Sequence, residues 1–141
     1  MRILLDTNII ANFLTKREDK YTQESIAIVK KCLAHELDGY VSIQSLSTIC
    51  YVFRKLPFEM LLQWLVLICQ DLAIANANNG IILKSLQNNR FKDLEDNLQD
   101  CCAQSVGAEY IVTANLNDYT GCSVIPAVAP DEFLRILDNL K

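Results

Sequence analysis

Residues 91–119 read FKDLEDNLQDCCAQSVGAEYIVTANLNDY, and this stretch decides the fold. Lys92 to Val106 is a polar, acid-rich run with helix-forming composition, closed by Gly107, a residue that readily takes the left-handed conformation ending a helix. EYIVT at 109–113 follows as a strand, rich in β-branched and aromatic residues. A polar loop then runs from Asn115 to Gly121. Helix, glycine, buried strand and polar loop in that order form a unit of an α/β chain.

Outward from this stretch the same alternation continues. ILL at 3–5 is a short buried strand that ends on Asp6, and Thr7 or Asn8 is placed to cap a helix from Ile9 to about Leu14. KREDK at 16–20 is a solvated turn. Ile26, Val29, Leu33 and Leu37 recur at three- and four-residue spacing, which predicts an amphipathic helix over 22–38, stopped by Gly39. YVSI at 40–43 reads as a second strand, followed by a helix from Ser45 to Lys55 that Pro57 breaks, and another from Phe58 to Gln70. LAIA at 72–75 is a third strand, and the cap-rich segment from Asn76 to Gly80 leads into a helix ending at Gln87. Beyond the central stretch, CSVI at 122–125 is expected to be an edge strand, and Pro130 and Asp131 open a last helix to Leu140. Short buried strands alternating with helices predict a mostly parallel sheet covered on both faces, a three-layer α/β/α arrangement over residues 1–141 as one domain.

The bulk composition agrees. With 141 residues and 51% hydrophobic content the chain can bury a sizeable core, and 21% charged residues with few glycines and prolines leave no disordered tract. No apolar run is long enough to span a bilayer, and MRILLDTN meets an acid at its sixth residue, unlike a secretory leader, so a cytoplasmic protein is expected. The six cysteines form no C-x-x-C pair and mostly fall in apolar periodic segments, where reduced buried thiols are expected. Net charge is −4, which argues against broad electrostatic capture of duplex nucleic acid but leaves room for a local site.

Ligands in open α/β sheets gather beyond the carboxyl ends of the strands. Asp6 and Asn8 follow the first strand there, and Thr113, Asn115 and Asp118 follow EYIVT. Asp93, Asp96 and Asp100 are spaced to share one face of the acidic helix, where like charges repel and a divalent cation offsets the repulsion. Acids in a first helical turn also oppose the helix dipole without any ligand, and Asp93 and Glu95 fit that plainer role. An acid directly after a buried strand is costly to bury unpaired, so Asp6 carries more weight than any one helical acid.

With these residues in place, the chain resembles the PIN domain family, especially its VapC-like branch. MRILLDTNIIANFLTKRE is similar to the opening of such domains, FKDLEDNLQDCCAQSVGAEYIVTANLNDY to their central helix, strand and site loop, and APDEFLRIL to their proline-led last helix. The resemblance implies a metal-dependent endoribonuclease holding Mg²⁺ or Mn²⁺ on three or four acids. By matching motifs it makes Asp6, Asp96 and Asp118 the catalytic metal ligands, with Asp93 an accessory acid. Asn8, Thr113 and Asn115 are implied neighbours that contact substrate. It implies RNA as substrate and, for a toxin of a toxin–antitoxin pair, an antitoxin protein as partner.

One departure stands out. Where the family usually carries an acid in the helix after the second strand, this chain has Thr48 in SLSTICYVFRK, and no acid occurs between Asp38 and Glu59. A PIN-fold module that binds RNA or protein without cutting is therefore the second expectation. A phosphatase using Asp6 as nucleophile is a weaker third, since such sites carry a second aspartate where this chain has Asn8. Arg54 and Lys55 end the Thr48 helix, and Arg54 is expected to meet RNA phosphates. His35 reads as a surface residue. Phe58, Leu62 and Trp64 share helical spacing, and the apolar helix 58–70 predicts a homodimer face.

Overall fold

The computed structural model describes all residues from Met1 to Lys141. Its strands are β1 (Arg2–Leu5), β2 (Asp38–Ser42), β3 (Ala73–Ala75), β4 (Tyr110–Val112) and β5 (Ala127–Val128). Its helices are α1 (Thr7–Thr15), α2 (Thr22–Leu33), α3 (Ile43–Val52), α4 (Phe58–Asp71), α5 (Asn79–Gln87), α6 (Leu94–Ser105) and α7 (Pro130–Asn139). All four strand pairings are parallel, in the order β3-β2-β1-β4-β5. This is a three-layer α/β/α fold with a parallel central sheet.

The period-two alternation of β1 builds both cores. Ile3 and Leu5 face a cluster with Ile9, Ile10, Ile28, Val29, Ile49, Ile68 and Phe133, drawn from α1, α2, α3, α4 and α7. Leu4 faces the opposite cluster with Cys102, Ala103, Ile111 and Tyr119, beneath α6. Ile3, Leu4 and Leu5 are all fully buried, as expected of a central parallel strand covered on both sides. The chain first winds from β1 to β2 and β3 on one side, then returns to place β4 on the other. The direction of winding therefore reverses between the parallel neighbours β1 and β4, which opens a crevice at their carboxyl ends.

Several boundaries differ from the sequence expectations. The first helix is capped by Asp6 itself, not by Thr7 or Asn8. Its amide continues the ladder to the Val112 carbonyl at 3.0 Å, which holds Asp6 extended while its carboxylate accepts from the Thr7 amide. The helix expected over 22–38 ends at Leu33, and His35 turns the chain in the left-handed region. Gly39 does not cap it. Asp38 and Gly39 are instead claimed by the pairing of β2 with Arg2 and Ile3. The edge strand is not 122–125, because the Val124 and Ile125 amides donate to the Asp100 carboxylate at 2.9 and 3.0 Å. Ala127 and Val128 take the edge instead. The cysteines are all unpaired, but only Cys32, Cys101 and Cys102 are buried, while Cys50 and Cys69 are exposed. No helix is long and apolar enough to cross a membrane.

Gly39 is required by close approach. A Cβ there would stand 2.7 Å from Cys32 Sγ and 2.8 Å from Cys32 Cβ on α2. Gly39→Ala is expected to destabilise the protein by about 1–3 kcal/mol through overpacking. Urea unfolding reads this as a lower midpoint, and an unchanged midpoint would show that α2 yields without cost.

Candidate active site

The crevice between β1 and β4 is floored by one carboxylate. Asp6 is 7% exposed and accepts from five donors. Its Oδ1 takes the Thr7 amide at 2.8 Å and Gln99 Nε2 at 2.9 Å. Its Oδ2 takes the Thr113 hydroxyl at 2.8 Å, with Asn8 Nδ2 and the Tyr119 hydroxyl each at 3.3 Å. These donors come from α1, α6 and the segment after β4. The donors offset what burying the charge costs.

Around Asp6 lies a cavity of about 290 Å³ lined by Asn8, Asp93, Asp96, Asn115 and Asp118 among others. Asp96 sits in the first turn of α6, half-buried, and accepts from the Tyr119 hydroxyl at 3.3 Å. One phenol thus stands between Asp6 and Asp96. Desolvation, followed by the charges of Asp6, Asp93 and Asp118, pushes the Asp96 carboxyl up to about 7. Burial and the same two acids push the Tyr119 hydroxyl far above its ordinary range, so it remains a donor.

Asp93 is the N-cap of α6, accepting from the Glu95 amide at 2.8 Å, so its dipole role is real, although it also lines the cavity. Asp100, placed by spacing on the same face, is turned elsewhere. It is 1% exposed, binds the 124–125 backbone, and lines a separate cavity. Thr113 is fully buried and does not line the site cavity. Its hydroxyl holds Asp6 and accepts from the Asn115 amide at 3.0 Å. Asn8 ties α1 to the loop after β4, accepting from the Ala114 amide at 3.0 Å. Arg54 lies outside the cavity. Its Nη1 donates to the Tyr51 carbonyl at 2.8 Å, and its guanidinium stacks 4.3 Å from the Tyr51 ring, so the helix end satisfies this cation locally.

Several site residues escaped the sequence reading. Gln99 follows Asp96 by one turn and is 3% exposed. Its Nε2 also reaches Ser45 Oγ at 3.1 Å, which in turn meets the Thr7 hydroxyl at 2.7 Å. A glutamine three residues from an acid on a helix was the available signal. Thr48 does line the cavity, and its neighbour there is Glu95, whose Oε1 lies 3.4 Å from the Thr48 hydroxyl. Gln44 Nε2 secures that helix start by donating to the Glu95 carbonyl at 2.9 Å. Arg17 is the cavity's one basic residue.

A divalent cation fits this donor set. No three acids, cysteines or histidines are drawn together tightly enough to ligate a metal directly as they stand. Mg²⁺, however, keeps several waters and needs only one or two carboxylates. The repulsion centred on Asp96 is what a cation relieves. Gln99 Oε1 is buried without a partner, an acceptor suited to a water of the ion's shell.

The family model described as PIN domain matches residues 2–117. Ribonuclease VapC1 of Aquifex aeolicus (strain VF5) is 26% identical over 125 residues, covering 84% of this chain and 85% of that protein. Among solved structures, VapBC-1 from nontypeable Haemophilus influenzae is similar at TM-score 0.69 and 18% identity, covering 93% of this chain and 99% of that one. VapBC2 from Rickettsia felis, bound to a DNA fragment from its promoter, gives TM-score 0.67 and 19% identity, covering 92% and 98%. A toxin–antitoxin complex from Klebsiella pneumoniae gives 0.67 and 20%, covering 91% and 97%.

The raised Asp96 carboxyl makes stability fall with pH. The folded state binds this proton more tightly than the unfolded chain, so the cost begins near the unfolded value of about 4 and is complete above about 7. Asp96→Asn removes it. In EDTA, the variant is expected to exceed the parent by ~1–2 kcal/mol near pH 8, Asp96 being half open to solvent, with the gain vanishing toward pH 4. A gain independent of pH in denaturant titrations would show that acid repulsion is not the cause.

Proposed function

The chain belongs to the PIN domain family, and from that premise we propose that it is a metal-dependent endoribonuclease, the toxin of a toxin–antitoxin pair. The observation that carries the reading is the cavity where Asp6, Asp93, Asp96 and Asp118 meet at the carboxyl ends of β1 and β4. The similarity to Ribonuclease VapC1 supports RNA as substrate. The VapBC neighbours support an antitoxin as partner.

In this reading Asp96 and Asp118 would hold Mg²⁺ or Mn²⁺, in part through the ion's own waters, with Asp6 and Asp93 adding negative charge beside it. When bound, the ion supplies an activated water and neutralises charge developing at the phosphate. Asp6 is fixed by its five donors and so presents one orientation. A bound cation would favour the deprotonated form of Asp96, whose carboxyl is otherwise pushed up to about 7 by burial and its acidic neighbours. Asn8 and Asn115, with neutral amides at the cavity wall, offer hydrogen bonds to the RNA without adding negative charge. Thr113 acts through Asp6, as a positioning residue.

Thr48 favours the second reading, a module that binds without cutting, since it adds no charge where the family usually has an acid. Glu95 answers it. Its carboxylate reaches the same wall from α6, so the charge is supplied from another element.

The deciding assay is cleavage of short single-stranded RNA with Mn²⁺ against EDTA. Cleavage is expected only with metal, with a loss of about a hundredfold or more in Asp96→Asn and Asp118→Asn, on the scale of losing a principal electrostatic group. Mn²⁺ should also raise the parent's melting temperature, since it binds the folded state alone. Glu95→Gln should weaken Mn²⁺ affinity severalfold by calorimetry. Metal-dependent stabilisation without cleavage would leave the non-cutting module, and unchanged Mn²⁺ affinity in Glu95→Gln would remove Glu95 from the site.

We also propose a homodimer through α4. Phe58, Met60, Leu62 and Val66 are exposed on that helix, and Tyr51 and Val52 on α3, whereas Trp64 turns inward against Phe53 at 5.4 Å. An apolar display of this kind marks an interaction surface. Sedimentation is expected to give a dimer at about tens of micromolar, and Phe58→Glu a monomer. A monomeric parent at that concentration would refute it.

A further inference from the structure

Arg17 is the only cation lining an otherwise acidic cavity, and it forms no ion pair. A free guanidinium beside carboxylates would ordinarily collapse onto one of them. Here a buried amide prevents that. Asn12, fully buried on α1, accepts from Arg17 Nε at 2.7 Å through its Oδ1. Its Nδ2 donates to Asp19 Oδ2 at 3.1 Å and to Ser25 Oγ at 3.3 Å. Asp19, two residues on from Arg17, also takes the Tyr21 amide at 3.0 Å on the same oxygen. Asn12 therefore holds the guanidinium and the carboxylate on opposite ends of one amide. The backbone of Arg17 is pinned as well, its amide donating to the Thr15 hydroxyl at 3.2 Å and its carbonyl accepting from the Thr22 hydroxyl at 2.5 Å.

With Nε engaged, the two terminal amino groups of the guanidinium remain, and no protein acceptor takes them. Such a planar fork matches a phosphate bidentately. We propose that Arg17, aimed by Asn12, binds a backbone phosphate of the RNA strand beside the acidic group. The inference rests on the ribonuclease reading and adds to it the residue that grips the substrate. It divides the labour of the cavity: carboxylates take the cation, and the one guanidinium takes the polyanion. It also explains how a chain of net charge −4 engages RNA locally without a broad basic face. Asn12 is a positioning residue in this scheme.

The test uses Arg17→Gln. The glutamine Nε2 stands where the arginine Nε does in the covalent chain, so it can keep the bond to Asn12 while the charged head is removed. The probe is a fluorescein-labelled, short single-stranded RNA of random sequence, bound in Ca²⁺ and read by anisotropy across a salt series. The expected result is an RNA affinity about tenfold lower than the parent's at low salt. The logarithmic salt slope should be shallower by about 0.7, the value for one phosphate contact on a single strand. Mn²⁺ affinity by calorimetry should stay within about twofold, far less than the tenfold that 1.4 kcal/mol represents. Arg17→Lys, which keeps charge but not the fork, should fall between. Cleavage by the variant should show a raised KM with kcat less affected. Unchanged RNA affinity and slope in Arg17→Gln, with a parent that binds and cuts, would overturn the role of Arg17 and leave the ribonuclease reading standing. Equal loss of Mn²⁺ and RNA binding would assign Arg17 a merely structural role. A parent that binds no RNA would overturn both.

Discussion

The burial of one carboxylate at the end of the central strand governs this structure. Asp6 must be extended to continue the β1–β4 ladder, must cap α1, and must be paid for in hydrogen bonds because it is almost wholly removed from water. Its five donors recruit α1, α6, the end of β4 and the loop that follows. Those are the segments that form the cavity. The same network therefore packs the junction of the two crossovers and sets the geometry of the site.

Two acids that share the Tyr119 hydroxyl have different surroundings. Asp6 is saturated with donors. Asp96 has only the shared Tyr119 hydroxyl and three acidic neighbours, and its carboxyl is pushed up to about 7. Electrostatic repulsion is thus concentrated on Asp96 in the cavity wall. Gln99 Oε1 nearby is buried and has no partner within the protein.

Charge is also exchanged between elements. Thr48 on α3 contributes none, and Glu95 on α6 stands beside it. The two helices are already joined through Gln44 and the Glu95 carbonyl, so an acid on either one reaches the same wall. Arg17 shows the complementary device, in which a buried amide holds a cation and the Asp19 carboxylate on its two ends.

The sequence by itself determined the layers and the principal acids. Strong local signals carried them: the apolar ILL run ending on Asp6, the EYIVT strand with its polar loop, and the acidic helix closed by Gly107. Such signals depend on periodicity and on what a single residue tolerates, so they survive without knowledge of the rest of the chain. What only the tertiary structure decided were the partners. Spacing placed Asp100 with Asp93 and Asp96, but the unpaired amides of Val124 and Ile125 captured it and displaced the edge strand to Ala127. Arg54 looked free and was satisfied by its own helix end, whereas Arg17 looked like a solvated turn and came to the cavity. Ser45 and Tyr119 carry no local signature, since a buried polar side chain is defined by the donor or acceptor it meets across the fold. Hydrogen bonds of that kind join residues far apart in sequence, as Asp6 joins Tyr119, and they exist only once the sheet has brought the segments together.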